Sequence, residues 1–79
     1  MTVRDWILED VENDRNDSKW TDYYYIYPNG AEVYIGESHG TGEIFWHHNG
    51  LEDYLDVLNQ TVDTVTFEEN EYCYQAYIS

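Results

Sequence analysis

Basic residues are almost missing from this 79-residue chain: three Lys and Arg stand against seventeen Asp and Glu, a formal net charge of −14. Arg4, Arg15 and Lys19 all lie in the first nineteen residues, and the eleven acids from Trp20 to Ser79 meet no Lys or Arg. Binding a phosphate backbone works by placing Lys and Arg on it, so this composition argues against direct contact with nucleic acid. One cysteine, Cys73, cannot close an internal disulfide, which agrees with a reducing compartment. No apolar run approaches the ~18 to 20 residues of a membrane span, and the start MTVRDWILEDVEND carries acid too early for a secretory signal. A soluble, unprocessed cytosolic protein is expected. No repeat, linker or low-complexity segment breaks the chain, so residues 1–79 are read as a single acidic α+β domain.

Aromatic residues are what the chain has in quantity: nine Tyr, three Trp and two Phe. Each can remove roughly 150 to 250 Å² from water. That matters in a chain so short, because a domain of this size buries only about 60% of the surface its unfolded form exposes. The densest stretch, YYYIYPNGAEVYIGESHGTGEIFWHH from Tyr23 to His48, reads as a three-stranded antiparallel meander. Its strands are expected over Trp20 to Tyr27, Ala31 to Ile35 and Glu43 to His48. Pro28-Asn29-Gly30 is the first turn, since Pro presets φ and Asn-Gly tolerates the positive φ of a tight hairpin. Gly36 to Gly42 (GESHGTG) reads as a longer, mobile hairpin loop. Val33, Ile35, Ile44 and Trp46 mark the core side, while tyrosines at both parities of the first strand leave some rings on the outer face as contact surface.

Helical spacing occurs twice. Thr2 caps a first helix whose apolar face is Val3, Trp6, Ile7 and Val11, with Leu8 at its edge; Asn13 to Ser18 (NDRNDS) ends it as a loop. Asn49 caps a second, GLEDYLDVLNQ, where Leu51, Tyr54, Leu55 and Leu58 fall at i, i+3, i+4 and i+7. Val62 to Phe67 and Glu71 to Ile78 have strand composition and flank the turn Glu68-Glu69-Asn70, a C-terminal hairpin. The expected order is αβββαββ: an α+β fold with an antiparallel sheet, built of the meander and the hairpin, and two helices on one face.

Patterns that carry chemistry are sparse. His47 and His48 point to opposite faces of a strand and cannot chelate one ion together, and His39 has no ligand at matched spacing. Asp10, Glu12, Asp14 and Asn16 space oxygens like a calcium loop, but no twelve-residue register supplies the central Gly and terminal Glu. GESHGTG lacks the Lys of a phosphate cradle, and Ser38 beside His39 has no third group to orient it. Cys73, among tyrosines and far from any base, reads as a small buried hydrophobe. No catalytic residue, metal or cofactor is assigned, and the chain is read as a non-enzyme.

What remains is the array of acids, spread over helix and strand faces with almost no base to neutralise them. Ordinary domains intersperse the two signs, because a single-sign field costs stability by self-repulsion. The candidate partner-binding residues are Glu9, Glu12 and Asp14 on the first helix, Glu32, Glu37 and Glu43 on the meander, and Glu52, Asp53 and Asp56 on the second helix. A rigid small domain of this kind can stand in for nucleic acid in a basic groove and gain fast, salt-sensitive association by steering.

In size, charge, scarcity of Lys and aromatic content, as in DWILEDVEND and GLEDYLDVLNQ, the whole chain resembles the small acidic DNA-mimic inhibitors that phages encode against host defence, the anti-CRISPR and anti-restriction proteins. The resemblance is one of class rather than motif. It implies a stoichiometric, non-enzymatic inhibitor, favoured as a monomer, acting in the cytoplasm of an infected bacterial host. Its implied partner is the basic DNA-binding surface of a CRISPR effector, preferred over a restriction enzyme. An immunity protein or antitoxin capping a basic toxin nuclease has the same electrostatics, and a salt-adapted small domain has the same acid excess.

Overall fold

A computed structural model describes residues 1–13, 21–26, 32–47, 58–71 and 73–79 of the chain. Helix α1 (Val3–Asn13) begins where the sequence signal places it. Thr2 Oγ1 accepts the N–H of Asp5 at 3.1 Å, satisfying one of the amides that a helix start leaves without a carbonyl partner. Val3, Ile7 and Val11 recur every four residues and are buried, Trp6 packs beside them, and Leu8 at the edge of the stripe stays exposed.

Five strands follow: β1 (Thr21–Ile26), β2 (Val33–Ser38), β3 (Phe45–Trp46), β4 (Val65–Asn70) and β5 (Cys73–Ile78). They form one sheet in the order β3-β2-β1-β5-β4. β1–β2, β2–β3 and β4–β5 pair antiparallel, while β1 and β5 run parallel at the centre. The expected antiparallel sheet in the order αβββαββ is therefore overturned: the described residues form one helix and five strands in a mixed sheet. The parallel junction has a physical reason. Its register sets Tyr24 beside Ala76 and Ile26 beside Ile78, so the apolar sides of both strands make one continuous strip that joins Val3, Ile7 and Val11 of α1 in the core.

Of the expected second helix, Leu51, Tyr54 and Leu55 lie outside the described residues, and Leu58, the last of its stripe, is 1% exposed and belongs to the core. The turn at Pro28-Asn29-Gly30 and the loop residues 14–18 also lie outside the described residues. Backbone bonds tie the segment around Gln60–Thr64 to α1 and β5: Val3 N–H donates to the Gln60 carbonyl at 2.8 Å, and Thr64 and Ser79 exchange N–H···O bonds of 2.9 Å.

Two further expectations are corrected. Gly36, Glu37 and Ser38 are not in a mobile loop but in β2, and only the residues after them make the connection to β3, with Gly40 (φ 78°) and Gly42 (φ 82°) supplying the left-handed turns. Gly36 has no room for a side chain: a Cβ there would meet the Phe45 carbonyl oxygen at 2.7 Å. Glu68, Glu69 and Asn70 are not a turn either. They extend β4, because pairing along the whole of β5 satisfies their backbone groups, and the turn moves on to Glu71.

A bulge in β2 sets which side chains face out. Tyr24 pairs with Gly36 but Tyr25 with Tyr34, leaving Ile35 without a counterpart. Strict alternation from Val33 and Ile35 would aim Glu37 into the core. The extra residue re-phases the strand, so Ser38 is fully buried while Glu37 opposes Tyr23 on the face away from α1.

Candidate functional site

The face of the sheet opposite α1 is where the aromatic excess collects. In β1, Asp22, Tyr24 and Ile26 are buried toward the helix, which sends Tyr23 and Tyr25 to the other side. The parallel register places Tyr77 beside Tyr25, and the two rings stack with centroids 5.1 Å apart and planes 17° apart. On its other flank Tyr25 meets Tyr34 at 5.5 Å, Tyr34 meets Tyr23 at 6.2 Å, and His47 leans on Tyr34 at 4.9 Å. These tyrosines are half-buried.

Carboxylates border the rings on both sides. Burial, then the charge of Glu37, then a hydrogen bond to it push the Tyr34 phenol up to about 12, and Tyr23 is raised by burial and the same carboxylate. Glu37 also lies 3.4 Å from Nε2 of His39. Beyond β5, the Tyr77 hydroxyl donates to Glu68 Oε2 at 3.4 Å. Cross-strand pairing sets Glu37, Tyr23, Gln75 and Glu68 in one row across four strands, next to the row Tyr34, Tyr25, Tyr77. None of the five strands contains Lys or Arg.

On the helix side a cleft of about 210 Å³ opens between Asp10, Asp22, Phe67, Tyr74 and Ala76. Asp22 is 5% exposed there, and Tyr24 donates its hydroxyl to Asp10 Oδ2 at 2.9 Å, a part-buried tether between helix and sheet. Phe67, 55% exposed, lies 5.9 Å from Trp6 at the rim. Among the described residues no group of three or more His, Cys, Asp or Glu is placed to hold a metal ion.

Comparison with known protein families, with curated proteins and with solved structures finds no match.

The acids singled out from sequence are placed on both sides of the sheet rather than brought together. Glu9 and Glu12 are exposed on α1, Glu32 and Glu43 are exposed ahead of β2 and β3, and Glu37 lies on the outer face. Asp14, Glu52, Asp53 and Asp56 lie outside the described residues. Cys73 is not in the core but half-buried in β5, paired in register with Thr21. Glu68 escaped sequence reasoning because the stretch Glu68-Glu69-Asn70, ending in a turn-forming Asn, reads as the hairpin turn. Its one signal was parity with Thr66 in an extended strand. No helix among the described residues is long and apolar enough to cross a membrane.

Proposed function

We propose that this protein is a non-enzymatic inhibitor that acts as an acidic mimic of double-stranded DNA and occupies the basic DNA-binding site of a host-defence complex, a CRISPR effector in preference to a restriction enzyme. It would work in the cytoplasm of an infected bacterial cell. The observation that carries this reading is the density of unneutralised acid. The domain is 32 Å along its longest axis, a length over which duplex DNA carries about 19 negative charges, and the chain holds seventeen Asp and Glu. Exposed acids stand on α1 and around the sheet edges, so more than one side of the domain is negative. Such a surface gains association rate by steering, and its affinity falls as salt rises.

The test is competition in a gel-shift assay: the protein should displace DNA from a purified CRISPR effector, less well at 300 mM than at 50 mM NaCl. Failure to displace DNA from any of a panel of CRISPR effectors and restriction complexes would refute it. Reversing Glu9 and Glu12 to Lys tests the helix surface, since both side chains are exposed and their replacement leaves the core intact. A salt-adapted domain would fold only at molar salt, so native circular dichroism in dilute buffer separates the two readings.

A further inference from the structure

We infer that β4, the end strand of the sheet, is a docking edge for an extended basic segment of a protein partner, which adds to it as an antiparallel strand. Phe67 is the apolar anchor, and Glu68 and Glu69 meet the segment's bases. The sign of the partner's charge rests on the reading of the chain as an acidic binder of a basic surface; the edge itself follows from strand geometry. Strand order gives β4 a neighbour, β5, on one side and none among the described residues on the other, and Thr66 through Asn70 are all exposed. At the far end of the sheet β3 is only two residues long, and so short an edge holds no segment in register.

The pairing with β5 fixes which backbone groups face outward. Thr64 and Ser79 exchange both N–H···O bonds, and the register runs on without a slip from Val65 with Ile78 to Asn70 with Cys73. Bonded and non-bonded pairs alternate in an antiparallel ladder, so Thr66, Glu68 and Asn70 turn their N–H and C=O toward β5, while those of Val65, Phe67 and Glu69 point away from it. An extended peptide adds to such a row by main-chain bonds and is selected by its alternate side chains. A segment residue opposite Phe67 lays its side chain on the α1 side, against a ring that is 55% exposed beside Trp6. The two residues before it fall opposite Glu68 and Glu69, one on each face of the sheet, so the segment reads base, base, apolar. Charge on an edge strand keeps sheets from pairing with their own copies. A second copy would bring Glu68 and Glu69 of both chains into one seam with no Lys or Arg on either strand, whereas a basic segment makes the same carboxylates into favourable cross-strand pairs. Nucleic acid offers no amide ladder, and its phosphates are repelled by these carboxylates.

The probe is the peptide Thr-Lys-Lys-Val-Thr-Val-Thr with blocked ends, titrated into the full chain and followed by backbone amide resonances and hydrogen exchange. Binding should slow exchange at the amides of Val65, Phe67 and Glu69 and leave those of Thr66 and Glu68, already turned to β5, as they were. Replacing both lysines by glutamate should weaken binding about tenfold. Methylating the backbone nitrogen of the central valine, which donates to the Phe67 carbonyl, should also weaken it about tenfold. Methylating the nitrogen of the threonine that follows, which points away from β4, should leave affinity nearly unchanged. Glu68→Gln with Glu69→Gln, both exposed and outside the core, should remove the preference for lysine over glutamate. Equal losses from the two methylations would overturn the inference, as would no protection of the three amides up to about 5 mM peptide. Protection of the same amides by protein concentration alone would overturn it in favour of a second copy. The gel-shift competition reads the mimic separately. Peptide pairing without DNA displacement supports the docking edge and removes the mimic; displacement without peptide pairing removes the edge alone.

Discussion

Adding one methyl group to Gly36 probes whether β3 is held by close backbone approach. Gly36 pairs with Tyr24 on one side and Trp46 on the other, and a Cβ built on it lies 2.7 Å from the Phe45 carbonyl oxygen and 3.2 Å from the Trp46 Cα. Both obstacles are backbone, so no rotamer change relieves them and β3 must move off β2. Overpacking of this kind costs about 1 to 3 kcal/mol, partly offset by the ~0.4 to 1 kcal/mol that replacing Gly gains through the unfolded chain. The net loss for Gly36→Ala is about 1 to 2 kcal/mol. In a domain of this size each kcal/mol moves the midpoint by about 4 to 8 °C, so thermal melting followed by circular dichroism should drop by roughly 5 to 15 °C. The local signature is sharper. His47 N–H donates to the Ile35 carbonyl at 2.7 Å, and hydrogen exchange at that amide should accelerate more than exchange at Tyr24 or Ala76 in the central strands. A Gly36→Ala protein with an unchanged or higher midpoint, or with His47 as protected as before, would refute the account of the β2–β3 contact.

Two further substitutions test the sheet. The Ser38 hydroxyl is fully buried and finds no hydrogen-bond partner among the described residues, so Ser38→Ala should raise stability by about 1 kcal/mol in urea denaturation, and a loss of stability would show that the hydroxyl is satisfied. Tyr34, whose phenol is pushed up to about 12 by burial and by Glu37, favours the neutral phenol in the folded protein. Its contribution is complete below the ordinary tyrosine value of about 10 and is lost as pH rises through about 12. Absorbance titration should therefore show a late-ionising tyrosine that Tyr34→Phe removes, and an unchanged alkaline titration in that variant would refute the raised Tyr34 phenol.

What a single sequence can specify here is what short-range physics controls. The capping Thr2 and the four-residue recurrence of Val3, Ile7 and Val11 make α1 and its buried stripe legible, because cap and stripe both lie within eleven residues. Aromatic and β-branched density in TDYYYI and alternation in CYQAYI make β1 and β5 legible as strands, and with five Gly and one Pro the chain has few other places to turn. The acid excess is a property of composition and needs no structure. The candidate site was legible only in part: outward tyrosines follow from alternation, and the exposure of Glu9, Glu12, Glu32 and Glu43 from polarity, but their grouping does not.

Tertiary structure decided the rest. The parallel union of β1 with β5 joins residues about fifty positions apart, and nothing local to either strand records its neighbour; burial of a shared apolar strip does. Pairing along β5 overrode the turn expected at Glu68-Glu69-Asn70 and put Glu68 on a strand. One unpaired residue, Ile35, moved Glu37 from the core side to the outer face, because a side-chain period of two makes a single insertion reverse every position after it. The acid and aromatic residues that border each other across the sheet were all present in the sequence, but their adjacency is a consequence of register, and register is settled only when the whole sheet packs against α1.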